Sequence, residues 1–87
     1  MQREQVEAFL QSGEDASLTR LNRLTLRERE VLQLLAEGLS TAAIALKMGV
    51  SPKTVETHRA HLTEKLQMYD VASLTRFAVR CGLVSLE

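Results

Sequence analysis

Apolar positions along this chain recur three and four residues apart, the spacing of one face of an α-helix, and the runs are interrupted by glycine or by small polar residues. In residues 2–11, Val6, Phe9 and Leu10 form a weak amphipathic run that stops at Ser12-Gly13. The polar stretch Gly13-Glu14-Asp15-Ala16-Ser17 reads as a linker and puts the domain start near Leu21. The expected organisation is therefore a linker with a lead-in helix, 1–20, and one domain, 21–87.

Four stronger helices follow, each with start and stop signals. Thr25-Leu26-Arg27-Glu28 fits a capping box, Val31, Leu34 and Leu35 form the stripe behind it, and Gly38 supplies a left-handed stop. Ser40 caps the next helix, in which Ile44, Ala45 and Met48 share a face, with Leu39 and Ile44 at the positions of a hydrophobic staple. Gly49 ends it. Ser51 then caps a third helix with Pro52 in its first turn, where the missing N–H costs nothing, and Val50 and Val55 supply a second staple. Asp70 caps the last helix; Leu74, Phe77, Ala78 and Cys81 form its inner face, and Gly82 ends it. The fold class predicted is all-α: a four-helix bundle containing a helix-turn-helix, plus the short N-terminal lead-in helix.

Composition narrows the classes of function. With 87 residues, 45% of them hydrophobic, the chain has room for one small packed domain. Aromatics make up only 3%, so Leu, Val and Ala carry the core, which favours helices over a β-sandwich. The single cysteine, Cys81, excludes an internal disulfide and the Cys-rich zinc patterns and fits a reducing compartment. No apolar run approaches the ~20 residues that span a bilayer, and the start, MQREQVEAFL, lacks the build of a secretion signal, so no membrane partner is expected. Catalytic residues, a cofactor and a bound metal are likewise not expected. There is no nucleophile–base pair, paired carboxylate or phosphate-cradling loop, and His58 and His61 have no carboxylate or cysteine aligned to complete a site.

Net charge is zero but unevenly spread. Residues 1–37 carry five basic against seven acidic side chains, whereas residues 38–66 carry Lys47, Lys53, Arg59 and Lys65 against Glu56 and Glu64. Screening over roughly 8–10 Å makes this local excess of +2 the relevant quantity, and it is modest. The third helix gives it a place. At 100° per residue Val55, Leu62 and Leu66 fall on one side, and Lys53, Thr57, Ala60 and Glu64 on the other, flanked by Glu56 and His61. A short helix, a three-residue turn with glycine, and a longer helix with a small, polar outer face make a helix-turn-helix pattern. Thr57 and Ala60 keep the rod slim enough for a major groove ~12 Å wide. On the last helix, Ala72, Thr75 and Val79 form a second, fairly apolar strip that suggests a partner helix.

LTLREREVLQLLAEGLS, IALKMGVSPKTVETHRAHLTEKL and LTRFAVRCGL together resemble the LuxR/FixJ (GerE-type) DNA-binding domain, the output half of many bacterial response regulators, over about Leu24 to Leu83. SPKTVETHR is most similar to the FixJ-type regulators. The resemblance implies a transcription regulator whose helix from Pro52 to about Leu66 reads double-stranded DNA, with a homodimer on DNA formed by the last helix, the one on which the strip of Ala72, Thr75 and Val79 is expected to be the dimer surface. It implies base-facing roles for Glu56, Thr57 and Ala60. It sets Ser40, Thr41, Lys53, Thr54, Arg59 and His61 near phosphates. RNA polymerase and a phosphate-accepting receiver domain ahead of the output domain are the further implied partners, and the bacterial cytoplasm the implied location. Two departures stand out. Ala42-Ala43 replaces a frequent Lys-Glu, removing a cation and half a capping box, and Gln67 replaces a frequent Gly at the exit of the reading helix.

With Asp15 and Asp70 as its only aspartates, the chain reads as an isolated output domain or a naturally short regulator. Two other functions share parts of the pattern: a promoter-reading sigma-factor domain, through REREVL and TVE, and a helical protein–protein adaptor. The complete fourth helix after KLQMYDVASL favours the LuxR/FixJ type over the sigma type.

Overall fold

The computed structural model describes residues 16–84, and the expected lead-in helix at residues 2–11 lies outside them. Within that span the chain forms five helices and no strand: α1 Ala16–Leu21, α2 Leu26–Ala36, α3 Thr41–Met48, α4 Pro52–Leu66 and α5 Val71–Arg80. The four expected helices are α2 to α5. The short α1 arises where the polar composition reads as linker: Ser17 and Leu21 are buried on the body. What holds it there is distant in sequence. The Arg20 guanidinium donates to the Leu66 carbonyl at the end of α4 and lies 5.8 Å over the Phe77 ring of α5.

The caps form as the local chemistry dictates. Thr25 Oγ1 accepts from the Glu28 N–H at 3.1 Å while Glu28 Oε1 accepts from the Thr25 N–H at 2.9 Å, a complete capping box. At the other end of α2, Gly38 takes φ +95° and the Leu39 N–H reaches back to the Leu34 carbonyl at 3.1 Å, closing the last turn. Ser40, Ser51 and Asp70 each accept from the N–H three residues on. α4 leaves by a different route. Gln67 itself adopts the left-handed conformation, φ 57° and ψ 41°, and the Met68 N–H donates to the Thr63 carbonyl at 3.1 Å.

α2 is the central element, packed on both α4 and α5, with α3 and α1 resting on α4. Val31 and Leu32 of α2, Ile44 of α3, Val55, Leu62 and Leu66 of α4, and Leu74 of α5 are fully buried. Each such side chain contributes about 1.5–3 kcal/mol by leaving water. Phe77 and Ala78 complete the α5 face; Cys81 stands at its edge, half-buried, its thiol directed at the Ser17 carbonyl. α4 is thus held by α2, α3 and α1 along the one face that carries Val55, Leu62 and Leu66, which leaves the opposite face outward.

Candidate nucleic-acid interface

The turn between α3 and α4 is short because two devices share it. Gly49 takes φ +72°, ending α3, and the Val50 N–H donates to the Ala45 carbonyl at 3.0 Å. Ser51 then caps α4 through the Thr54 N–H at 3.1 Å, and the Ser51 and Thr54 hydroxyls lie 3.0 Å apart. Val55 is 1% exposed and seats the first turn of α4 in the core; Leu62 and Leu66 seat the remainder. Thr63 is buried too, its hydroxyl donating to the Ala60 carbonyl at 2.9 Å, so a position that reads as polar belongs to the inner side.

The opposite side of α4 is open. Lys53, Glu56, Thr57, Ala60, His61 and Glu64 are exposed, and Thr54, His58 and Arg59 are half-buried along its borders. The Thr57 hydroxyl donates to the Lys53 carbonyl at 3.1 Å, so it presents acceptor lone pairs and a methyl group outward, and no free donor. Ser40, at the start of α3, is exposed with its oxygen accepting from the Ala43 N–H at 3.2 Å; Thr41 is half-buried. With alanine at 43, the reciprocal half of that cap has no side chain to make it.

The electrostatics differ from a count of charges in one respect. Lys65 Nζ is 2.8 Å from Glu28 Oε1 and 3.3 Å from the Arg23 carbonyl, so its charge is committed to the body. Glu28 is 3% exposed. Burial pushes its carboxyl up, but the hydrogen bonds from Lys65 and the Thr25 N–H, with the positive charge of Lys65 and then of His61, outweigh burial and hold it below its ordinary value. His61 Nδ1 lies 3.8 Å from Glu28 Oε2, with the imidazole otherwise exposed. The outward cations of this part of the chain are therefore Lys47 and Lys53, with Arg59 at the border, against Glu56 and Glu64. Sequence spacing alone does not find the Glu28–Lys65 pair. Its one trace is that a capping-box glutamate sits beside the inner stripe of α2.

On α5, Ala72 is exposed and Thr75 and Val79 are half-buried, and Thr75 and Val79 line a shallow, mostly apolar recess of about 330 Å³ with Arg76 and Arg80. The strip expected there is thus present as a surface, separate from the α4 face. No helix among the described residues is long and apolar enough to cross a membrane.

Comparison with known proteins gives a consistent result. The family model of bacterial regulatory proteins, luxR family, matches residues 22–78. The chain is 42% identical over 65 residues to the uncharacterized response regulatory protein YgeK of Escherichia coli, covering 75% of this chain and 44% of that protein. It is 49% identical over 53 residues to the transcriptional regulatory protein UhpA of the same organism, covering 61% of this chain and 27% of UhpA. The crystal structure of full-length FixJ from B. japonicum superposes with a TM-score of 0.76 at 33% identity, covering 91% of this chain and 39% of that one. The chain thus spans less than half the length of each of these relatives.

Proposed function

Because the chain belongs to the luxR family of bacterial regulatory proteins, a helix-turn-helix DNA-binding family and not an enzyme family, we propose that it regulates transcription by laying α4 in the major groove of its operator. The observation that carries this reading is the division of α4. Val55, Leu62 and Leu66 are sealed in the core while Lys53, Glu56, Thr57 and Ala60 stand open on the opposite side. Glu56 accepts from a cytosine amino group, Thr57 offers an acceptor and a methyl to the next pair, and Ala60 allows close approach. Lys53, Arg59 and His61, with the hydroxyls and N–H groups at the starts of α3 and α4 (Ser40, Thr41, Thr54), hold phosphates and set the register.

So few outward cations make one domain a weak binder. Two copies pair through Ala72, Thr75 and Val79 of α5 on adjacent half-sites, and the linkage turns two modest affinities into a strong one. The relatives' greater length supports a receiver domain ahead of residues 1–20 in the whole protein, which acts in the bacterial cytoplasm and contacts RNA polymerase from the promoter. The test is selection of binding sites from a random duplex pool, followed by titration of the selected and a scrambled duplex at two salt concentrations. The reading requires a selected duplex that binds at least about tenfold tighter than the scrambled one, both affinities falling with salt. Equal affinity for the two sinks it.

A further inference from the structure

At the end of the molecule where α4 finishes, three arginines from two helices meet around a recess of about 170 Å³. Arg20 comes from α1 and Arg76 and Arg80 from successive turns of α5, and Ser17, Met68, Ser73 and Phe77 complete the lining. Two of the guanidiniums are already anchored. Arg20 spends one of its five donors on the Leu66 carbonyl and lies over the Phe77 ring, and Arg76 donates to the Ser73 hydroxyl at 3.4 Å. Among the described residues, no carboxylate forms an ion pair with Arg20, Arg76 or Arg80; the acids that do pair take Arg27, His61 and Lys65. Asp70, whose carboxyl feels the charge of Arg76, forms no ion pair with it, and its two oxygens accept from the Ser73 N–H and hydroxyl, each at 2.9 Å. At Cys81, burial holds the thiol above its ordinary value, outweighing the charges of Arg80 and then Arg20, which pull it down.

We propose that this recess is a binding site for a phosphate-type dianion, inorganic phosphate or a small phosphate monoester, held between Arg20, Arg76 and Arg80. Three converging cations with no paired acid favour a dianion over a singly charged carboxylate, and planar guanidinium forks match two oxygens of a phosphate at once. The recess, about 170 Å³, has room for a five-atom oxyanion. The site is separate from the DNA-reading surface. Arg20 is fastened to Leu66, the last residue of α4, whereas the residues assigned to bases and phosphates on that helix end at His61, about 7–8 Å earlier at 1.5 Å per residue. It therefore stands or falls independently of that reading.

The experiment is a ¹H–¹⁵N NMR titration of the 87-residue chain with sodium phosphate, sodium chloride being adjusted to keep ionic strength constant. Sodium acetate and a selected duplex serve as separate arms. The expected result is saturable movement of the Ser17 and Ser73 amides and the Arg20 and Arg76 Nε resonances with phosphate. The double variant Arg76→Gln/Arg80→Gln should weaken it about tenfold or more. Both side chains are exposed, so the variant keeps its fold, which its own spectrum verifies. Movement that does not saturate, that acetate reproduces, or that survives in the double variant overturns the proposal. So does movement caused by the duplex and not by phosphate, which would make the recess a DNA-backbone contact.

Discussion

Lys65 Nζ meets Glu28 Oε1 at 2.8 Å across 37 residues of sequence, and the same carboxylate closes the capping box of α2. One buried group thereby fixes the start of the central helix and the last turn of the helix proposed to read DNA. Lys65 keeps 36% of its side chain in water, so the pair is neither fully buried nor a loose surface contact.

Glu28→Gln should therefore cost about 1–2 kcal/mol at neutral pH, below the 3–5 kcal/mol of a fully buried pair, because Lys65 can turn to solvent. The substitution retains an oxygen for the Thr25 N–H and isolates the charge. The pH dependence has a definite sign. The folded-state value of Glu28 lies below its ordinary 4.5, so its stabilisation is present above that pH and is lost as pH falls through the folded value. Asp70, lowered by its hydrogen bonds from Ser73, acts in the same direction. Thermal melts from pH 7 to pH 3 should show the wild type losing stability on acidification below about 4.5 and the variant losing less over the same range.

Stop and start signals were legible because they are local. Thr25, Ser40, Ser51 and Asp70 each cap a residue three positions on, and Gly38 and Gly49 take the left-handed angles that end their helices. The outward side of α4 was legible for the same reason, since helical periodicity places Thr57 and Ala60 opposite Val55 and Leu62. What could not be read depends on partners far along the chain. α1 is held by an arginine 46 residues from its acceptor, and Lys65 is withdrawn from the outer charge by a glutamate of α2. A polar stretch read alone has no means of showing that a distant carbonyl will anchor it.

Gln67 is the one residue other than glycine at positive φ among those described, and it marks a stability reserve. A left-handed side-chain-bearing residue costs about 1–2 kcal/mol, of which glycine's greater freedom in the unfolded chain returns part. Gln67→Gly should raise stability by about 0.5–1 kcal/mol, read as a higher urea midpoint with an unchanged slope. Gly49→Ala is the converse. An added Cβ meets nothing within 4 Å, so the expected loss of about 1 kcal/mol is conformational and not steric. An equal effect of both changes in the same direction would contradict the account.

Lys53 and Lys65 look alike in a count of charges and should behave differently on DNA. Lys53 is exposed at the start of α4, whereas Lys65 is bound to Glu28. Lys53→Met should weaken binding to every duplex and reduce the slope of log affinity against log salt by about one. Lys65→Met should lower stability and leave that slope unchanged. Glu56→Ala should instead alter which base is preferred at one position, which a panel of single-substituted duplexes measures.

The pairing surface can be tested without disturbing the fold because Ala72 is exposed on the first turn of α5. A glutamate there suits the positive end of the helix and stands four residues before Arg76, so Ala72→Glu should leave the melting temperature unchanged or slightly raised. On the proposed α5 surface it would set a charge against the same residues of a second copy. The expected outcome is unchanged affinity for a duplex with one half-site. Affinity for a duplex with two should fall toward the single-site value, a loss of about a hundredfold if linkage supplies the usual gain. Fluorescence anisotropy on the two duplexes separates these terms, since a general electrostatic effect would weaken both alike. If the two-site affinity is untouched while the fold is intact, the copies meet through a surface other than Ala72, Thr75 and Val79.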